Sequence, residues 1–235
     1  MMKTKIWVGM ATLALLTTIS CGQMKKSSLD IGQIQLTNLA DTASYALGVN
    51  MATAMMEQGF EDLNLTAFAK AFQDVYTESK TLISNEETNG ILQEYFMSLS
   101  DQAGQENLAE GQAFLEKNGK NDGVVTTESG LQYEVITQGT GAKPTAESTV
   151  KVHYHGTLID GTVFDSSVDR GQPVEFPLNG VIPGWTEGVQ LMPVGSKYKL
   201  YIPSELGYGA NVPPGGPIGP NSVLIFEVEL IDIIN

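Results

Sequence analysis

The sequence predicts an α+β protein: an all-helical N-terminal domain with a long connecting helix, then a domain of antiparallel strands and one short helix. Three observations predict it. From Asp41 to Asn118 apolar residues recur at helical spacing and no proline interrupts them. From Gly123 onward lie all ten prolines and 16 of the 25 glycines. In that half apolar and polar residues alternate, the two-residue period of strands with one face buried.

The chain starts with Lys3 and Lys5, then an apolar run over residues 6–19 that is too short to span a bilayer comfortably. That pattern is a secretory signal. Ile19-Ser20-Cys21-Gly22 follows and resembles a bacterial lipobox, with Thr18 where the pattern prefers Leu. Cys21 is the only cysteine. It could be reactive, paired between chains, modified, or part of a discarded leader. The lipobox context favours acylation, which makes residues 1–21 a lipoprotein signal. Cleavage before Cys21 removes Lys3 and Lys5 and leaves 11 basic against 27 acidic residues.

Residues 22–40 are polar and read as a flexible tether. Residues 41–118 form the helical domain. A first helix starts near Thr42 and carries Tyr45, Leu47, Val49, Met51, Met55 and Met56. Asn64 is placed to cap a second, with Phe68, Phe72, Val75 and Tyr76 on one stripe. Ser84-Asn85-Glu86-Glu87 is a capping box that opens a third helix, which runs to about Glu116 and is roughly 48 Å long. Its apolar residues (Ile91, Leu92, Tyr95, Phe96, Leu99) concentrate in the first half, which is expected to be packed. The polar second half, with Gly104 and Gly111, is expected to be an exposed spacer. Lys117 to Gly123 breaks the helix and marks the boundary to residues 119–235. Strands are expected at Leu131–Ile136, Val150–Tyr154, Lys197–Ile202 and Val223–Ile233, with a short helix over Gly184–Leu191.

The composition supports a packed core, with 42% hydrophobic and only 17% charged residues. A formal charge of −14 gives no basic patch for a phosphate backbone, so no nucleic-acid partner is expected. His153 and His155 are the only histidines; they alternate on one strand, opposite Tyr154, and are too few for a structural zinc site. No metal and no cofactor is expected, and no nucleophile elbow, P-loop or dinucleotide fingerprint occurs. The second half does carry aromatics in turn-rich settings: Tyr154, Phe164, Phe176, Trp185, Tyr208 and Phe226. A plain hydrophobic core is the ordinary reading of such residues. Phe164 beside Asp165, Trp185 at a helix start, and Tyr208 between two glycines are positions that a core would not choose.

Five motifs carry a resemblance. They are Val152–Gly156, Gly161–Ser167, Val181–Trp185, Leu191–Gly195 and Ile202–Gly209, with Leu224–Leu230 at the C-terminus. Together they resemble the FKBP family of peptidyl-prolyl cis/trans isomerases across residues 124–235. The resemblance implies a five- or six-stranded antiparallel sheet curled around one short helix. It implies Trp185 as a pocket floor, with Tyr154, Phe176, Val181, Ile182 and Phe226 as walls. Asp165 and Tyr208 become the polar rim, Arg170 orients Asp165, Phe164 and Ile218 complete the substrate contacts, and Tyr154 and Trp185 join the rim pair as catalytic residues. Val174 stands where the family often has an aromatic wall, and the loop Gly209–Asn221 is slightly long. Both departures bear on macrolide affinity more than on isomerase activity.

Such a site suits the chemistry. Rotating a peptide bond costs roughly 18–20 kcal/mol because amide resonance is lost. No bond breaks, so binding the twisted, less polar amide better than the planar one suffices.

Ser44–Asn50, Leu63-Asn64-Leu65 with the Phe68/Phe72 helix, and Ser84–Glu87 add a second resemblance, to the helical module of macrophage-infectivity-potentiator-type isomerases. It implies a homodimer through residues 41–118; a monomeric helical bundle is the alternative. The expected clients are proline-containing unfolded or nascent envelope proteins. The expected location is periplasm-facing, anchored through lipid on Cys21, with Gly22 pointing to the outer membrane. A chaperone that captures proline-containing chains with little turnover is the rival reading.

Overall fold

The structure, a computed structural model, describes residues 32–57, 59–60, 62–213 and 215–234. Cys21, the signal segment and residues 22–31 of the tether lie outside them. The chain divides into two compact units between Ser84 and Asn85.

The first unit holds α1 (Leu39–Glu57) and α2 (Leu65–Tyr76). α1 starts a little ahead of the expected position because Asn38 caps it, its side-chain oxygen accepting the Asp41 N–H at 2.9 Å. Asn64 caps α2 as expected and accepts the N–H groups of Thr66 and Ala67 at 3.1 and 3.0 Å. The two helices enclose an apolar groove of about 510 Å3, lined by Leu47, Met51, Met55, Phe68 and Phe72 among others. α1 buries no residue completely. Tyr45, Leu47, Val49 and Tyr76 stay exposed, so this unit has apolar faces but no closed core of its own.

The second unit begins with α3 (Asn85–Asn118), one residue after Ser84. Strands β1 (Val124–Thr126), β2 (Gln132–Thr137), β3 (Thr149–Thr157), β4 (Val163–Ser166), β5 (Val174–Pro177), β6 (Lys197–Ile202) and β7 (Leu224–Ile233) form one sheet. Its order is β1-β2-β6-β7-β3-β4, with β5 also on β3. Every pairing is antiparallel. Seven strands exceed the implied five or six because the three-residue β1 extends the edge of β2.

Alternation along β3 turns Val150, Val152, Tyr154 and Gly156 inward. From the neighbouring strands Leu200, Ile202, Phe226, Val228 and Leu230 join the same core. The short helix α4 (Pro183–Gln190) opens with Pro183, whose fixed φ suits a first helical position. Two glycines one turn apart let it lie on β6. A Cβ on Gly184 would sit 2.5 Å from Ile202 Cγ2, and one on Gly188 2.8 Å from Leu200 Cδ1.

The structure corrects part of the expectation for α3. In its first half Ile91 and Leu92 are exposed, while Tyr95, Phe96 and Leu99 are half-buried. The polar second half, expected to be a spacer, is the packed part. Gly104 and Gly111 are buried, and Phe114 packs its ring 6.0 Å from that of Tyr201 on β6. Asn118 donates to Gln132 Oε1 at 2.9 Å, and Gln132 donates to the Leu115 carbonyl at 2.9 Å. The reason is steric rather than hydrophobic: a Cβ on Gly111 would stand 2.7 Å from Val223 Cγ2. Only a residue without one lets the helix this close.

Candidate active site

Tyr154 is fixed from both sides. Its N–H donates to Ser167 Oγ at 2.8 Å, and Ser167, itself fully buried, donates its own N–H back to the Tyr154 carbonyl at 3.0 Å. Register places Asp165 opposite Gly156, one turn of the pleat away. A Cβ on Gly156 would lie 2.6 Å from Phe164 Cε2, so glycine there admits the Phe164 ring. The Tyr154 hydroxyl donates to Asp165 Oδ2, and Arg170 Nη1 donates to Asp165 Oδ1. Arg170 Nη2 donates to the Tyr154 oxygen at 2.8 Å, and its guanidinium carbon lies 5.6 Å from the Tyr154 ring centre. Arginine, tyrosine and carboxylate thus close a triangle.

This triangle sets the charge at the cavity mouth. Partial burial works to raise the Asp165 pKa, but hydrogen bonds from Tyr154 and Arg170 and the guanidinium charge outweigh it. The carboxyl therefore titrates below its ordinary value. Burial pushes the Tyr154 hydroxyl up, helped by its bond to the Asp165 carboxylate, so it stays a donor.

Beneath lies an aromatic cage. Trp185 is 4% exposed and meets Tyr154, Phe176 and Phe226 at centroid distances of 5.4, 5.8 and 5.2 Å, each close to perpendicular. Phe164 meets Phe226 at 5.2 Å and 82°. Such edge-to-face pairs are favourable ring geometries. The Trp185 indole N–H is buried and has no hydrogen-bond partner among the described residues.

These side chains surround a cavity of about 490 Å3. Tyr154, Phe164, Asp165, Phe176, Val181, Ile182, Trp185, Tyr208, Ile218 and Phe226 all line it. Arg170, expected with them, does not line it and reaches it through Asp165 and Tyr154. Tyr208 stands partly exposed at the mouth. Gly180 and Pro213 also line the cavity. The sequence did not single them out, because neither has a side-chain function that could signal a site. Val174 is not a lining residue; it pairs with Val152 on β3 and packs on the core.

His153 and His155 turn outward, bonded through their Nδ1 atoms to Ser167 and Ser166 at 3.1 and 3.0 Å. Among the described residues no group of three or more metal-ligating side chains gathers.

An open antiparallel sheet, a short helix laid on it, and a caged tryptophan under a carboxylate–tyrosine rim define a class of proline-binding isomerase domains. The chain belongs to the FKBP-type peptidyl-prolyl cis-trans isomerases. The family model described as FKBP-type peptidyl-prolyl cis-trans isomerase matches residues 140–231. The model for the domain amino terminal to FKBP-type peptidyl-prolyl isomerase matches residues 40–135. An FKBP-type 22 kDa peptidyl-prolyl cis-trans isomerase of Escherichia coli is 47% identical over 82% of this chain and 94% of its own length. An outer membrane protein MIP of Legionella longbeachae is 42% identical, covering 84% of this chain and 87% of that protein. The crystal structure of FkpA from Escherichia coli superposes with a TM-score of 0.67 at 38% identity, over 85% of this chain and 98% of that one.

Proposed function

We propose that this isomerase twists X-Pro bonds inside the Trp185 cavity, works as a homodimer joined through residues 41–118, and is held at the cell envelope by lipid on Cys21. The observation that carries the site is convergence: side chains from β3, β4, β5, β7, α4 and two loops meet around one cavity with an ordered polar triangle at its mouth.

A proline ring enters over Trp185, between Tyr154, Phe176 and Phe226. Val181 and Ile182, at the start of α4, bound the other side. The amide is less polar when twisted than when planar. A dry aromatic wall therefore favours the twisted form, and the difference lowers the barrier. Asp165 presents a fixed negative charge near the rotating carbonyl carbon and the proline nitrogen, and Tyr208 supplies a hydroxyl to the carbonyl oxygen. Both tune the rate rather than create it. The test is cis-to-trans isomerisation of short X-Pro peptides. Asp165→Ala and Tyr208→Phe each lower kcat/KM by roughly two- to tenfold, the range of one hydrogen bond's net worth. Unchanged turnover in both variants would move the chemistry away from this rim.

The apolar faces of α1 and α2 support the dimer, since a single chain leaves them in water. The signal-like residues 6–19 and the lipobox-like Cys21 support export and acylation. No helix among the described residues is long and apolar enough to cross a membrane. The naming of one relative as an outer membrane protein supports the outer membrane as the location. Clients are then proline-containing unfolded envelope proteins, whose uncatalysed X-Pro bonds take tens of seconds or longer to isomerise.

A further inference from the structure

We propose that α3 positions the rim of the proline cavity: Gly104 and Asn107 grip the arm of loop over residues 215–221 and thereby hold Ile218 at the mouth. The proposal rests on the reading of this cavity as the isomerase site.

The grip consists of two hydrogen bonds that run in opposite directions. Asn107 Nδ2 donates to the Pro220 carbonyl at 2.9 Å. Asn221 Nδ2 donates to the Gly104 carbonyl at 3.1 Å. Glycines on both partners make room for it. A Cβ on Gly104 would stand 3.2 Å from Asn221 Nδ2, and one on Gly219 2.7 Å from Asn107 Nδ2. Asn221 also closes the neck of the loop, its N–H donating to the Gly209 carbonyl at 2.8 Å while its φ is 56°. Three residues before it, Ile218 lines the cavity.

The division of labour along α3 is what points to the rim. Gly111, Phe114 and Asn118 fasten the helix against Val223, Tyr201 and Gln132, next to or within the sheet. Asn107 and Gly104, one and two turns earlier, make their hydrogen bonds beyond the helix to the loop. Removing their grip therefore frees Ile218 without undocking the helix. A loosened arm spends part of its time away from the mouth, and the apparent affinity for substrate falls by the fraction of time it is correctly placed.

Asn107→Ala and Asn221→Gly test this in the full chain; glycine keeps the positive φ that position 221 needs. Initial rates on short X-Pro peptides are measured over a range of concentrations, beside thermal unfolding. The expected result is a KM raised roughly three- to tenfold, the worth of one hydrogen bond, with kcat within about twofold of wild type. The thermal midpoint should stay near that of the parent. In an Ile218→Ala background, Asn107→Ala should add little, because both changes act on the same contact. An unchanged KM, or effects that add in full, would overturn the positioning role. Ile218→Ala without effect while Asp165→Ala impairs turnover would overturn it too and leave the site standing. No effect from either would show that the cavity itself had been misread, and the positioning role would fall with it.

Discussion

Tyr154 does three jobs with one side chain. Its ring walls the cavity, its hydroxyl orders Asp165, and its backbone is locked to Ser167. The Asp165 carboxyl lies below its ordinary value, so its contribution to stability is fully present above the unfolded value of about 3.9. That contribution is lost as pH falls through the lower folded value. Turnover should accordingly be flat from neutral pH down to the ordinary carboxylate range, as a pH–rate profile would show. Tyr201 behaves in the opposite sense. Burial, then the charge of Glu134 and the hydrogen bond to it, push its hydroxyl up to about 12. Its folded pKa is above the unfolded value near 10, so its share of stability is complete below about pH 10 and is lost as pH rises toward 12. Tyr201→Phe should flatten that alkaline fall in thermal midpoint, and an identical fall in the variant would assign it to other groups.

Glycine decides how the helices meet the sheet. α4 lies on β6 through Gly184 and Gly188, and α3 approaches Val223 through Gly111. Gly111→Leu would force a branched side chain into that contact. Overpacking of this kind costs about 1–3 kcal/mol, and the thermal midpoint should fall by several degrees. Peptide turnover at low temperature should persist, because neither Gly111 nor Val223 lines the cavity. A midpoint equal to the parent would mean that α3 docks elsewhere in solution.

At the scale of the whole molecule, the unfilled apolar faces of the first unit carry the assembly prediction. Leu47 is 57% exposed and sits with Met51 on the groove between α1 and α2. Leu47→Glu with Met51→Glu should halve the mass measured by light scattering and leave short-peptide turnover unchanged. A parent chain that is already monomeric would give the face to clients and strengthen the chaperone reading. For the anchor, Cys21→Ser should shift the protein from the membrane fraction to the soluble fraction and abolish labelling by fatty acid.

Much of the fold and of the site could be read in the chain itself. The break at Lys117–Gly123, the Asn64 cap and the strand alternation are local signals, and each reflects a backbone preference that acts within a few residues. Most side chains that line the candidate cavity were legible because they sit in short motifs whose order and spacing mark a family; Phe176 and Ile218 lie outside those motifs. The sequence could not show which half of α3 is covered. Its polar half gave no sign of being covered, because burial there depends on close backbone approach at Gly104 and Gly111 rather than on side-chain hydrophobicity. Nor could it show that Asn107 meets Pro220. Such contacts join residues far apart along the chain, or depend on where a side chain's end falls in space, and only the tertiary structure decides them.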